Sequence, residues 1–136
     1  MTSKEWLNRG YNMYRRLETK RAHLETLGNI VSRYDAREVE TYHAENTSES
    51  TMLTWSELKR EVDTLSAQLA EIDAKTDEAI SRLDNPTEYA VLYNRYIRRQ
   101  NWQSVAETLH YSVGRVFQIH AAAVAHVGEK AYDLIE

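Results

Sequence analysis

The chain has 136 residues, 42% hydrophobic and 28% charged, with a net charge of −4, one Pro, four Gly and no Cys. The absence of Cys excludes disulfide frameworks, thiolate-ligated metals and thiol catalysis, and the length suits one ordinary domain or two small units. Few turn formers beside many charged residues favour an all-α chain, and no apolar run approaches the roughly 18 residues of a membrane span.

Charge is uneven. Residues 1–43 carry +2, residues 44–85 carry −6 and residues 86–136 are neutral. The opening segment places Trp6, Met13, Leu17, Leu24, Leu27, Val31 and Tyr34 at helical spacing, widened by Leu7, Tyr11 and Tyr14. This predicts a long helix from about residue 3 to the low forties, with a break near Gly28, because glycine is costly inside a helix. Residues 44–51, AENTSEST, lack apolar periodicity and predict a loop.

Thr54 and Glu57 then form the capping-box pattern that opens a second helix. Its seam runs Trp55, Leu58, Val62, Leu65, Leu69, Ile72, Thr76, Ala79 and Leu83 in alternating steps of three and four. Such a helix is about 45 Å long and needs a partner along the seam. The first helix is one partner, making an antiparallel hairpin, and the same seam in a second chain is the other. A homodimer or higher homo-oligomer is therefore an expectation.

At residues 84–88, DNPTE, Asp84 or Asn85 can cap a helix with Pro86 at its first position and Glu88 facing the free N–H groups. That helix should run to about residue 99, with Tyr89, Leu92, Tyr93, Tyr96 and Ile97 on its apolar face. A short helix Trp102–Leu109 follows, then a compact connection at His110, Tyr111 and Ser112. Ser112 caps a last helix running to about Val127. The expected organisation is residues 1–84 as an oligomerising hairpin, 85–128 as a trihelical unit and 129–136 as a tail or helix extension.

A short helix, a three-residue turn and a second helix with an open face make a helix-turn-helix, whose second helix enters the major groove. Val105, Ala106, Leu109, Val116, Ile119 and Ala123 form its expected core. Arg115 and Gln118 are candidates for base readout, through guanine O6/N7 and adenine N6/N7, with Ser112, Gly114 and Ala122 beside them. Arg95, Arg98, Arg99 and Gln103 are candidates for phosphate contact. The five histidines, His23, His43, His110, His120 and His126, show no metal-ligand spacing, and His120 is expected between helices instead. No phosphate-binding loop or nucleophile elbow accompanies them, so neither catalysis, nor a metal, nor a cofactor is expected.

The stretch LYNRYIRRQNWQSVAETLHYSVGRVFQIHAAAV resembles the C-terminal region of phage transcriptional regulators of the RinA and ArpU type and a related phage family of unknown function. Those proteins are similar to region 4 of bacterial sigma factors. Leu92, Arg95, Tyr96, Trp102, Val105, Ala106, Leu109, Tyr111, Ser112, Val116, Ile119 and His120 carry the pattern, and the opening KEWLNRGYNMYRRLETKRAHLETL extends the likeness to most of the chain. The resemblance implies a sequence-specific regulator of late genes, working in the cytoplasm of a bacterial host. A phage structural or packaging adaptor and an RNA-polymerase-binding regulator with weak DNA affinity are the alternatives. Two positions depart from the family: His110 stands where Gly is common in the turn, and Gly114 where a polar reading residue is usual.

Overall fold

A computed structural model of the chain describes the backbone of residues 1–36 and 42–135, and the side chains of residues 1–33 and 49–135. Every regular element among them is helical, so the chain is all-α. The helices are α1 (Ser3–Leu7), α2 (Tyr11–Ala36), α3 (Tyr42–Ile80), α4 (Pro86–Leu92), which continues as a π-helical turn (Tyr93–Ile97), α5 (Trp102–Leu109) and α6 (Val113–Lys130). Among the described residues no helix is long and apolar enough to cross a membrane.

Three boundaries differ from the sequence reading. The N-terminal helix breaks at residues 8–10, and α2 continues through Gly28. A Cβ at Gly28 would stand 3.4 Å from the Trp55 indole nitrogen of α3, an ordinary contact distance. Residues 44–51 lie within α3, where a loop was expected. Thr54 consequently caps nothing: its hydroxyl donates to the Ser50 carbonyl at 3.0 Å, a bond between successive turns of one helix.

The chain forms two compact units, Asn12–Leu69 and a second built from Met1–Tyr11 with Ala70–Glu136. In the first, α2 and α3 pair antiparallel. Leu17, Val62 and Leu69 are buried together, with Met13, Tyr14, Leu24 and Leu65 packed around them. Lys20 pairs with Glu61, and Arg21 donates to the Ser66 hydroxyl at 3.1 Å. Part of the seam packs against α2 of the same chain: Leu58, Val62 and Leu69 are buried, and Trp55 and Leu65 half-buried.

In the second unit, the end of α3 meets α1, α4 and α6. Trp6, Leu7, Ala79, Ile80, Leu92, Tyr96, Ala123, Val127 and Ala131 form its larger core. Arg9 fastens α1 to α3: its guanidinium lies 3.8 Å from the Trp6 ring centre and donates to the Trp6 carbonyl, the Thr76 hydroxyl and the Ile72 carbonyl. Burial is the main reason its pKa falls below the ordinary arginine value, with Asp73 acting the other way. These three acceptors occupy the guanidinium where water is scarce. A Cβ on Gly128 would come within 2.6 Å of the Ser3 hydroxyl oxygen, so the glycine admits α1 close against α6. After α6, Leu134 and Ile135 pack on the same core while Tyr132 is exposed.

Candidate nucleic-acid interface

The surface of interest is assembled by local signals around α4, α5 and α6. Asn85 caps α4, its side-chain oxygen accepting from the Thr87 and Glu88 amides at 2.8 and 3.4 Å, with Pro86 in the first turn. The helix then widens into the π-helical turn. Asn94 is buried there, donating to the Ala90 carbonyl at 2.8 Å and accepting from Arg98 at 3.1 Å. The next turn closes with bonds from the Arg98 amide to the Tyr93 carbonyl and from the Gln100 amide to the Asn94 carbonyl, both 3.0 Å. Arg99 sits in the left-handed region at φ 56°. Asn101 caps α5 through the Ser104 amide at 2.8 Å.

His110 also takes a left-handed conformation, at φ 61° and ψ 41°. The Tyr111 amide reaches the Ala106 carbonyl at 3.0 Å and the His110 amide reaches the Glu107 carbonyl at 3.4 Å, the paired bonds of a Schellman ending. Ser112 then caps α6 by accepting from the Arg115 amide at 3.1 Å. Val91, Val105, Ala106, Val116 and Ile119 are buried beneath this turn, with Trp102, Leu109 and Val113 partly so. The expected core residues therefore face inward, Ala123 joining the larger core instead.

His110 and Gly114 are reversed with respect to backbone preference. The left-handed position carries a Cβ, whereas Gly114 has helical geometry and open space where a Cβ would stand. We expect His110→Gly and Gly114→Ala each to raise stability by about 0.5–1 kcal/mol. Urea midpoints at constant slope would measure this, and a loss at either position would refute the backbone reading.

His120 bridges the π-helical turn and α6: its Nε2 lies 2.6 Å from the Tyr96 hydroxyl, and its ring meets the Trp102 edge at a centroid distance of 4.8 Å. Burial, aided by the positive charges of Lys4 and Arg95, pushes its pKa down to about 4, so the imidazole is neutral at pH 7.

The candidate contact residues divide into exposed and occupied groups. Arg115 and Gln118 are both exposed on α6, and the Arg115 guanidinium donates to Gln118 Oε1 at 3.3 Å. Gly114 and Ala122 are exposed near them, while the Ser112 oxygen is used in its cap. Arg98 is exposed, and Gln103, also exposed, donates to Glu107 at 3.2 Å. Arg95 is half-buried, its guanidinium 4.3 Å from the Trp102 ring centre and bonded to the Gln100 carbonyl. Arg99 makes a two-pronged pair with Asp73, at 2.6 and 3.1 Å, and its side chain is only 10% exposed. Of Arg95, Arg98 and Arg99, Arg98 alone is exposed, although it also donates to Asn94.

Comparison of the chain with protein-family models, curated proteins and solved structures finds no match. Function is therefore read from geometry. Two parts of this surface were not singled out in the sequence. Phe117 is half-exposed on α6, its ring meeting Trp102 edge-on at 5.1 Å. His126, farther along the helix, pairs through Nδ1 with the buried carboxylate of Glu88. Arg115, Gln118, Ala122 and His126 border one shallow recess with Asn85, Glu88 and Tyr111. Their spacing of three, four and four along α6 carried the signal for that stripe. The local pattern placed Glu88 at the start of α4, but nothing local indicated its pairing with His126, 38 residues later.

Proposed function

We propose that this chain binds double-stranded DNA as a transcriptional regulator, with α5, its turn and α6 acting as a helix-turn-helix. The observation that carries the reading is the α5–α6 corner: a Schellman ending with His110 left-handed, Ser112 capping α6, and an exposed N-terminal half of α6 bearing Arg115 and Gln118. That arrangement presents a helix end to a major groove, and an adenine suits the Gln118 amide. Arg98 and the N-terminus of α5 would meet phosphates, adding affinity without discrimination.

The likeness to phage regulators of the RinA and ArpU type suggests late-gene control in the cytoplasm of a bacterial host. The reading requires no cofactor and no catalysis. Action as a homodimer or higher homo-oligomer on two half-sites is part of the proposal, and sedimentation measures it.

The test is selection from a pool of random duplexes at low salt. Enrichment of one sequence is the expected result. Gln118→Ala should then reduce discrimination against wrong bases by about ten- to a hundredfold. Arg98→Ala should weaken every duplex alike and lower the slope of log affinity against log salt by about one. Retention of no duplex would defeat the proposal.

A further inference from the structure

The outward face of α6 has a chemical character that narrows which DNA it fits. Val116, Ile119, His120, Ala123 and Val127 are buried. At about 100° per residue, the opposite side of the helix centres on Gly114, Gln118, Ala121 and Ala125, all exposed. Phe117 stands at one edge of this face and Arg115 at the other. The centre is uncharged, and Gln118 is its one polar side chain.

Phe117 decides the character of the face. It is 48% exposed, although a phenyl ring is ordinarily covered in a helical unit. It is also held in place: its ring meets Trp102 at 5.1 Å and an interplanar angle of 70°, and Trp102 is in turn flanked by His120 and the Arg95 guanidinium. A fixed aromatic ring on an exposed helix face presents an apolar surface without an ordering cost on contact.

In the major groove, the base-edge group that suits such a surface is the C5-methyl of thymine, which alanine and phenylalanine contact. Small residues at 114, 121 and 125 let the helix approach the floor of a groove about 12 Å wide. Arg115 stands at the edge away from Phe117, where a groove wall carries phosphates. The nearby carboxylate of Glu88 is buried and paired with His126.

We infer that the duplex read by this face presents thymine methyl groups beside an adenine, with Phe117 and Ala121 against the methyls and Gln118 on the adenine. In this arrangement Arg115 serves Gln118 and the phosphates instead of a guanine, its guanidinium donating to Gln118 Oε1 at 3.3 Å. The inference rests on the DNA-binding reading and names the class of sequence recognised.

The experiment replaces thymine by deoxyuridine, one position at a time, in the duplex enriched by the full chain. Base pairing is kept and only the methyl is lost. At one or two positions uracil should weaken binding about fourfold per methyl, and Phe117→Ala should abolish that sensitivity at one of them. Ala121→Asp, at an exposed position, should eliminate selective binding with helix content unchanged, which guards against a Phe117 variant that misfolds. Selective binding with no uracil effect anywhere would overturn this inference and leave the DNA-binding reading intact. Retention of no duplex at low salt would defeat both.

Discussion

Acidification from pH 7 to pH 4 is expected to remove about 3 kcal/mol of stability through one side chain, His120. The sign follows from its environment. The ring is buried, bonded to Tyr96 and next to Trp102, and its pKa falls from 6.5 to about 4. The unfolded chain therefore takes up a proton in the interval where the folded chain refuses it. Stability is full above about pH 6.5 and is lost as pH falls towards 4, at about 1.4 kcal/mol per pH unit of displacement. His120→Gln keeps a hydrogen-bonding group near Tyr96 but does not titrate. Its stability should be lower at pH 7 and nearly independent of this proton below it. Urea unfolding followed by tryptophan fluorescence at a series of pH values would show the difference. The same dependence on pH in both proteins would sink the assignment.

His120 also illustrates what the sequence made legible. Its place between helices follows from the spacing of Val116, Ile119, Ala123 and Val127, a periodicity local to α6. The end signals were equally legible: Asn85 with Pro86 and Ser112 fall on real helix starts, because a cap acts within three residues of itself. The α3 seam was visible as periodicity, but its partner was not, since equal apolar stripes fit a neighbouring helix or a second chain.

The remaining differences lie outside what apolar spacing encodes. The break after α1 depends on Arg9 reaching Ile72 and Thr76, more than sixty residues away. Helix through residues 44–51 runs against the preferences of Ser, Thr and Asn, which are small per residue. The π-helical turn arises where buried Asn94 and the closure at Gln100 act together, and no apolar spacing encodes it. At the candidate interface, residue type identified Arg95, Arg98 and Arg99 as one basic cluster. The fold gives them different tasks, because a stacked ring and a carboxylate from α3 claim two of the three.

Arg99 makes that division measurable. Its guanidinium bonds both oxygens of Asp73 and the Ile97 carbonyl, with its side chain 10% exposed and that of Asp73 26% exposed. Removing one member of so enclosed a pair leaves the other charge poorly solvated, a loss of about 3 kcal/mol. Alanine keeps the strain that arginine already bears at φ 56°, whereas glycine relieves it. Arg99→Ala is therefore expected to isolate the loss of the ion pair, and Arg99→Gly to be the less damaging change because relief of strain offsets part of that loss. A double-mutant cycle with Asp73→Asn should return a large coupling energy, and Arg99→Lys should rescue only part of it because the two-pronged geometry is lost. On the DNA-binding proposal, the variants that remain folded should keep the salt slope of binding, whereas Arg98→Ala flattens it. Full stability in Arg99→Ala would show that the pair with Asp73 is dispensable. An altered salt slope in the folded variant would return Arg99 to the phosphate-binding surface.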